Sequence, residues 1–357
     1  MSIEIKNTNR ILLILLLGMI SIFTAAIRPA AADMTMNAAE FDSLSAAAAA
    51  IPDGAGMVTL LLSDKPEWPD EDDLVIPADR GITGLEILLP ENTEKMPPLN
   101  IGRICANGIP LTVGYGIDLP ETSIYGGACV SGTESRLESS SLRINGAVGF
   151  VFGGGFAENG GTAIVTHPSV SVDYGGLVYY EVFGGGHAYG PGSAVSSEKT
   201  SVTVLGTTDY VLGAGFAEDG GRSECGETAV TVGENASVEV ALFAGGSAAG
   251  EDSRSTTNSP FAQLSGFAGW AFSGDFAFGG GKTETSGSGR LEILPTGSTN
   301  NAFLGSFASD AGSIALINTA ELMNCGTAEL VTERSQSSDG GEAKTQITAN
   351  FPCSLIN

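Results

Sequence analysis

Tyrosine and histidine side chains are concentrated in the middle of the chain, where they could bind a sugar. His187 stands among five tyrosines of one stretch, namely Tyr174, Tyr179, Tyr180, Tyr189 and Tyr210. An aromatic ring has an apolar face and, in tyrosine, a polar tip, which suits stacking on sugar rings. We therefore take Tyr179, Tyr180, Tyr189 and His187 as candidate ligand-facing residues. The alternative is that the rings pack beneath a loop.

Acidic side chains are the other residues that could do chemistry. Within the central region they are Asp173, Asp209, Glu218, Asp219, Glu251, Asp252 and Asp275. Their spacing places no pair of aspartates beside a basic residue, so the sequence predicts no catalytic residues and no cofactor-binding residues. Weak calcium binding is an open alternative, because oxygen-rich turns suit this hard cation. The metal ligands stay unassigned, and the dense acidic run Asp70 to Asp73 is expected to be a solvated loop.

Cysteines provide the clearest covalent expectation. Cys105, Cys129, Cys225, Cys325 and Cys353 include no Cys-x-x-Cys pair, and only two histidines accompany them, which argues against a zinc site. Sequence proximity suggests disulfides between Cys105 and Cys129 and between Cys325 and Cys353. Cys225 would then be free or would pair between molecules.

Composition argues against a nucleic-acid partner. Among 357 residues, 41 are acidic and 16 are basic, which gives a net charge of −25. A protein that binds nucleic acid needs a basic surface to displace counterions from phosphates, so we expect no nucleic-acid partner. The 50 glycines and the low charged fraction of 16% indicate strands and turns rather than helices.

The N-terminus has the pattern of a secretory signal peptide. Lys6 and Arg10 precede an apolar run from Ile11 to Ile27, and Ala30 to Ala32 offer a cleavage site before Asp33. The alternative is a retained membrane anchor, although the run is at the short limit for a span. We expect residues 1–32 to be removed, which makes the mature protein secreted or extracytoplasmic at the cell surface, without stable membrane insertion.

A glycine-rich box recurs along the chain. The best copies are Val151 to Ala157, Val182 to Ala188 and Val211 to Ala217, with weaker copies on either side. The second residue of each copy falls at 125, 152, 183, 212, 243, 272 and 304, so the intervals are 27, 31, 29, 31, 29 and 32. The alternation of 31 and 29 indicates a two-repeat unit of about 60 residues.

Short strands precede most boxes and define the fold. In Val170-Ser171-Val172, Val202-Thr203-Val204 and Val230-Thr231-Val232, apolar and polar residues alternate as in half-buried strands. A single such repeat cannot bury its apolar face, but stacked repeats can. The sequence therefore predicts an all-β parallel β-solenoid with coils of about 30 residues, in which Phe152, Phe183, Leu212, Phe243, Phe272 and Leu304 form one interior ladder. A propeller and an antiparallel barrel are the alternatives. The polar segments 188–200 and 247–262 are predicted to be surface loops.

The segment before the repeats predicts a cap. Asn37 and Glu40 have the spacing of a capping box at the start of a helix over Ala38 to Ala50, and strands follow at Met57 to Asp64, Leu74 to Pro77 and Gly81 to Leu88. This order resembles secreted right-handed parallel β-helix proteins of the pectin-lyase-like superfamily. The glycine boxes look most like the Gly-Gly-Gly repeats of bacterial adhesin-like surface proteins. The resemblance implies a right-handed β-helix with an N-terminal α-helical cap.

The expected organisation follows from these parts. Residues 1–32 form the signal peptide, 33–122 the cap helix and first coils, 123–320 the glycine-rich solenoid and 321–357 a C-terminal cap segment. We expect an exported, non-catalytic binding protein of the adhesin-like or envelope-associated kind, with an extracellular glycan or protein as its ligand. The alternative is a polysaccharide lyase or hydrolase, since enzymes with the resembled fold use carboxylate clusters, with calcium in the lyases.

Overall fold

The computed structural model describes residues 32–62, 73–78 and 80–353. The predicted signal peptide lies outside the described residues except for Ala32, and Asp70 to Asp72 of the acidic run also lie outside them. The described chain is almost entirely β-structure. Its strands form three parallel sheets, and each sheet pairs a strand with the corresponding strand of the next coil.

The first sheet contains the longest strands. Its thirteen described strands are Ala32–Asn37, Ala55–Leu61, Gly84–Leu88, Leu111–Val113, Glu134–Ile144, Thr162–Val172, Ala194–Val204, Arg222–Val232, Arg254–Ser259, Phe261–Leu264, Lys282–Ile293, Ile314–Asn324 and Glu342–Pro352. Arg254–Ser259 and Phe261–Leu264 pair with the same two neighbouring strands and so occupy one coil, and Pro260, which has no N–H to donate, separates them.

The second and third sheets complete each coil. The ten described strands of the second sheet are Leu74–Val75, Arg103–Cys105, Asp118–Tyr125, Ala147–Phe152, Leu177–Phe183, Thr207–Leu212, Ser237–Phe243, Phe267–Phe272, Ser298–Phe303 and Thr327–Thr332. The eight described strands of the third sheet are Cys129–Ser131, Phe156–Glu158, His187–Tyr189, Phe216–Glu218, Ser247–Ala249, Phe276–Phe278, Phe307–Ala308 and Gln336–Ser337. The predicted parallel β-solenoid is therefore confirmed, and the propeller and antiparallel barrel are excluded.

Turn lengths explain why the repeat interval alternates between 31 and 29 residues. The turn from the first to the second sheet has four residues at 173–176 and two at 205–206, then four at 233–236 and two at 265–266. The strand Leu177–Phe183 also carries one residue more than its neighbours Ala147–Phe152 and Thr207–Leu212, so the pairing shifts register there. The structural unit is thus a pair of coils.

The interior of the solenoid is apolar on one side and lined by small hydroxyl side chains on the other. Val172, Val204 and Val232 belong to the main apolar core. Further along the first sheet, Ser197 and Thr257 are buried. The prediction of surface loops at 188–200 and 247–262 is wrong, because these segments contain the strands Ala194–Val204 and Arg254–Ser259. Their interior positions are polar, so the strands lack the apolar alternation by which strands are recognised in a sequence.

The N-terminal helical segment is shorter than predicted. In place of one helix over Ala38 to Ala50, the chain forms a 3₁₀ turn at Ala38–Glu40 and a six-residue α-helix, Leu44–Ala49. The side chain of Asn37 accepts a hydrogen bond from the Ala39 N–H, and Ser43 caps the α-helix by accepting from the Ala46 N–H. Phe41 is extended between them, which interrupts the helix. The capping role and the right-handed sense of the coil stay predictions.

Both suggested disulfides are present. Cys105 and Cys129 connect a strand of the second sheet to the first described strand of the third sheet, and Cys325 joins Cys353 at the C-terminal end. Cys225 is free and buried. It pairs in register with Ser197 on one side and Thr257 on the other, within the hydroxyl-lined interior.

Candidate functional site

A tight glycine corner joins the second sheet to the third. A Cβ atom on Gly154 would lie 2.5 Å from the backbone nitrogen of Gly186 in the next coil, so the coils approach too closely for any side chain there. Val151 belongs to the interior core, and successive strand residues point to opposite faces. Phe152 therefore points outwards. Phe156 also points outwards, because Ala157 beside it is interior. On the outside of the corner the rings contact one another between neighbouring coils, as Phe152 does with His187 at a centroid distance of 5.3 Å.

Repetition of this corner builds a row of rings along the solenoid, which we call the aromatic groove. One side of its floor is formed by the row Tyr125, Phe152, Phe183, Leu212, Phe243, Phe272 and Phe303. The other side is formed by the row Cys129, Phe156, His187, Phe216, Ser247, Phe276 and Phe307. With one rung per coil at about 4.8 Å, the groove extends about 30 Å.

The floor is packed ring against ring. The centroids of Phe152 and Phe183 are 4.8 Å apart with nearly parallel planes, and those of Phe272 and Phe303 are 4.4 Å apart. The predicted ladder is therefore real, but two details were wrong. It lies on the outer side of the corner, and Phe303 rather than Leu304 is its last aromatic rung, because Phe303 pairs with Phe272. Leu304 belongs to the interior core.

Exposed rings stand on the walls of the groove. Trp270 is 42% exposed and makes edge contacts with Phe272, Phe303 and Phe307 at centroid distances of 6.1–6.4 Å. Tyr189 is 43% exposed on the opposite wall, and Tyr180 is 37% exposed. Tyr180 stacks on Phe150 with centroids 4.7 Å apart. The groove therefore presents open aromatic faces on a rigid, filled floor.

A cavity of about 270 Å³ opens in the groove beside His187. Its lining consists of Ser123, Tyr125, Phe150, Phe152, Glu181, His187, Phe216 and Glu218. The Nε2 atom of His187 lies 3.0 Å from a carboxylate oxygen of Glu218, and its Nδ1 atom lies 3.4 Å from the Tyr125 hydroxyl. These contacts fix the imidazole ring at the base of the cavity. Burial raises the pKa of Tyr125, so its hydroxyl stays protonated.

Glu181 is the carboxylate of this cavity that lacks a partner. Within the described part of the chain, no hydrogen bond or ion pair reaches its side chain, whereas Glu218 contacts His187. Burial, with a smaller contribution from repulsion by Glu218, raises the pKa of Glu181 to about 7. A partly protonated, partly buried carboxyl group therefore faces aromatic rings at neutral pH.

A cation already occupies the neighbouring part of the groove. The guanidinium carbon of Arg103 lies 5.0 Å from the centroid of the Phe156 ring. The same guanidinium donates hydrogen bonds to Asp73 at 2.9 and 3.1 Å. Asp73 is the one residue of the acidic run Asp70 to Asp73 that the structure describes, and it pairs with Arg103.

Three of the four predicted ligand-facing residues line or border the groove. His187 lies in the cavity, and Tyr180 and Tyr189 stand on the walls. Tyr179 lies instead in a separate recess of about 210 Å³, where its hydroxyl donates to Asp118 at 2.9 Å. The structure thus separates Tyr179 from the other three.

Sequence reasoning missed Trp270, Phe150 and Glu181. All three lie outside the glycine box, at or near the position two residues before its aromatic residue. Phe150, Tyr210 and Trp270 occupy that position in alternate coils, so a comparison of repeats two units apart would have found the outer wall. Glu181 occupies the same position in the coil between Phe150 and Tyr210, so an alignment of successive repeats would have found it as well.

The remaining acidic residues do not converge. Asp173 pairs with Arg143 and accepts from Ser171, while Asp275 is buried and accepts from Gly246 N–H and the Thr257 hydroxyl. Across residues 32–62, 73–78 and 80–353, no group of three or more His, Cys, Asp and Glu side chains has the arrangement of a metal site.

Comparison of the chain with protein-family models, curated proteins and solved structures finds no match. Among the described residues, no helix is long and apolar enough to span a membrane.

Proposed function

We propose that this protein is an exported, non-catalytic β-solenoid, adhesin-like or envelope-associated, that binds an extended glycan along the aromatic groove. The observation that carries the proposal is the set of exposed rings, Tyr180, Tyr189 and Trp270, on the two walls above a closely packed aromatic floor. Rings on a rigid scaffold stack on the apolar faces of sugars with little loss of conformational entropy. The two disulfides suit an oxidising, extracytoplasmic location.

The charge of the groove limits the class of glycan. Glu158, Glu181 and Glu218 lie along the wall or in the cavity, and the whole chain carries a net charge of −25. A polyanionic polysaccharide would meet like charges on approach. The ligand is therefore a neutral or amine-bearing glycan rather than a uronate or sulfated chain.

Glycan-array binding with three single variants tests the proposal. Trp270→Ala and Tyr189→Ala each remove an open groove ring, so each should weaken binding about fivefold or more, since stacking of one ring contributes about 1 kcal/mol or more. Tyr174→Ala is the matched control, because Tyr174 is 68% exposed and lies outside the groove. Equal losses in all three variants, or binding unaffected by both groove variants, would exclude the groove as the binding site.

A glycan hydrolase or lyase is the second candidate. The observation that favours it is the shared cavity of Glu181, Glu218, His187 and Tyr125, because general acid–base cleavage needs such groups close together. Incubation of candidate oligosaccharides with the protein, with and without calcium, distinguishes the two functions. Release of shorter products that Glu181→Gln and Glu218→Gln abolish would favour the enzyme and overturn the non-catalytic proposal.

A further inference from the structure

The cavity beside His187 contains a carboxylate, that of Glu181, whose charge no basic side chain among the described residues balances. Glu181 and Glu218 share the cavity with the rings of Phe150, Phe152 and Phe216. Glu218 contacts His187, but among the described residues no basic side chain reaches Glu181. Two carboxylates in a partly dry, ring-lined space repel one another unless a proton or an external cation intervenes.

The same groove shows which group satisfies such a site. Phe156 and Phe216 occupy the same row, two coils apart, with His187 between them. At Phe156, Arg103 lies over the ring and pairs with the carboxylate of Asp73. At Phe216 the ring and the carboxylates recur, but there Glu218 contacts His187 and, within the described residues, no basic side chain reaches Glu181. The chain thus supplies its own cation at one of the two positions and leaves the other open to the groove.

We propose that the cavity at Glu181 binds the protonated primary amine of a glycan, which makes a chain containing deacetylated amino sugars the ligand of the aromatic groove. A cation near an aromatic face and a carboxylate gains from both. This inference rests on the proposed glycan-binding function and deepens it by naming the substrate class.

The surroundings of the cavity favour an amino sugar over a lysine side chain. Tyr180 and Tyr189 stand open near the cavity, so the sugar rings that flank the amine have faces to stack on. A cavity of about 270 Å³ is comparable with one sugar ring, whereas a lysine would place only a narrow stem there. A neutral sugar would leave the carboxylates of Glu181 and Glu218 uncompensated. The pKa of Glu181, raised to about 7, further implies that an arriving ammonium displaces a proton from this carboxyl group near neutral pH.

Calorimetric titration with matched oligomers tests the inference. The probes are a glucosamine hexamer and an N-acetylglucosamine hexamer, which differ in the charged amine, with hexalysine as a third probe. At pH 6.5 the wild-type protein should bind the glucosamine hexamer at least tenfold more tightly than the acetylated hexamer. Binding should release protons, seen as a dependence of the measured heat on buffer ionisation enthalpy.

Variants separate the amine site from the rest of the groove. Glu181→Gln should abolish most of the preference for the amine while changing affinity for the acetylated hexamer less than about twofold. Glu239→Gln is the control, because Glu239 is an exposed carboxylate of another second-sheet strand that lies outside the cavity. Circular dichroism of each variant shows whether the fold is retained.

Each outcome decides the inference. Equal affinity for the two hexamers with retained sensitivity to Trp270→Ala would overturn the amine site and leave the groove function standing. Binding of neither hexamer would overturn the amine site, whereas the groove function would fail only if the glycan array also showed no groove-dependent ligand. Tighter binding of hexalysine than of the glucosamine hexamer would overturn the assignment to a glycan.

Discussion

Truncation of one rung of the aromatic floor should destabilise the solenoid strongly. Phe183 is 1% exposed, and its ring stacks on Phe152 at 4.8 Å and on Phe216 at 5.5 Å. Replacement of a buried phenylalanine by alanine typically lowers the free energy of unfolding by about 3–5 kcal/mol. We expect Phe183→Ala to fall near the upper end, about 4–5 kcal/mol, because the glycine corner holds the backbone and prevents the site from closing over the cavity.

The neighbouring coil supplies the matched control. Leu212 occupies the next rung of the same row, so the floor accepts a leucine at that position. Phe183→Leu should therefore cost only about 1–2 kcal/mol, since it leaves a smaller cavity and loses mainly the ring stacking. Guanidinium denaturation followed by circular dichroism measures both changes as shifts of the midpoint at constant slope. An unchanged midpoint for Phe183→Ala, or equal losses for the two variants, would refute the account of a rigid, filled floor.

Three further predictions concern the glycine corner, the buried acid and the cysteines. Gly154→Ala should destabilise the protein more than Gly160→Ala in the same denaturation assay. A Cβ at position 154 would lie 2.5 Å from backbone atoms, whereas a Cβ at position 160 would meet nothing within 4 Å and is disfavoured only by the φ of 78°. The reverse order would contradict the close approach of the coils. Burial raises the pKa of Asp275 to about 6 despite its hydrogen bonds, so the folded state binds more protons than the unfolded state between about pH 4 and pH 6. Stability should then fall by about 3 kcal/mol as the pH rises through that window, and Asp275→Asn should remove this part of the slope; a slope that persists in the variant would place its origin elsewhere. Cys225 is buried and its pKa is raised to about 12 by burial, so a thiol reagent at pH 8 should label it only after unfolding, and rapid labelling of the folded protein would show that the hydroxyl-lined interior opens.

The repeat made the coil predictable, because stacking requires the same apolar residue at the same place in each turn. Val170, Val202 and Val230 revealed their strands in this way. The other half of the first sheet escaped notice because its interior positions are Ser197, Thr257 and similar residues, which a hydrophobic pattern reads as loop.

The groove was less predictable than the coil. The tyrosines and His187 drew attention by their type, and Tyr180 and Tyr189 do stand on its walls. Whether a ring points inwards or outwards depends on the glycine corner that follows it, and a one-residue difference decides the outcome. The extra residue of Leu177–Phe183 lies between Val178 and Glu181, where the pairing shifts register, and the exposed Tyr180 in this segment stacks on Phe150.

The alternating four- and two-residue turns determine how many coils can be added to the solenoid or removed from it without disturbing its repeat. Insertion or loss of a single coil would place two long turns, or two short ones, side by side and break the phase of the wall residues Phe150, Tyr210 and Trp270. A duplication of about 60 residues would keep that phase and add about 10 Å of groove. Homologues and engineered variants that differ in length should therefore differ by whole pairs of coils, and the length of the ligand they accommodate should change in steps of the same size.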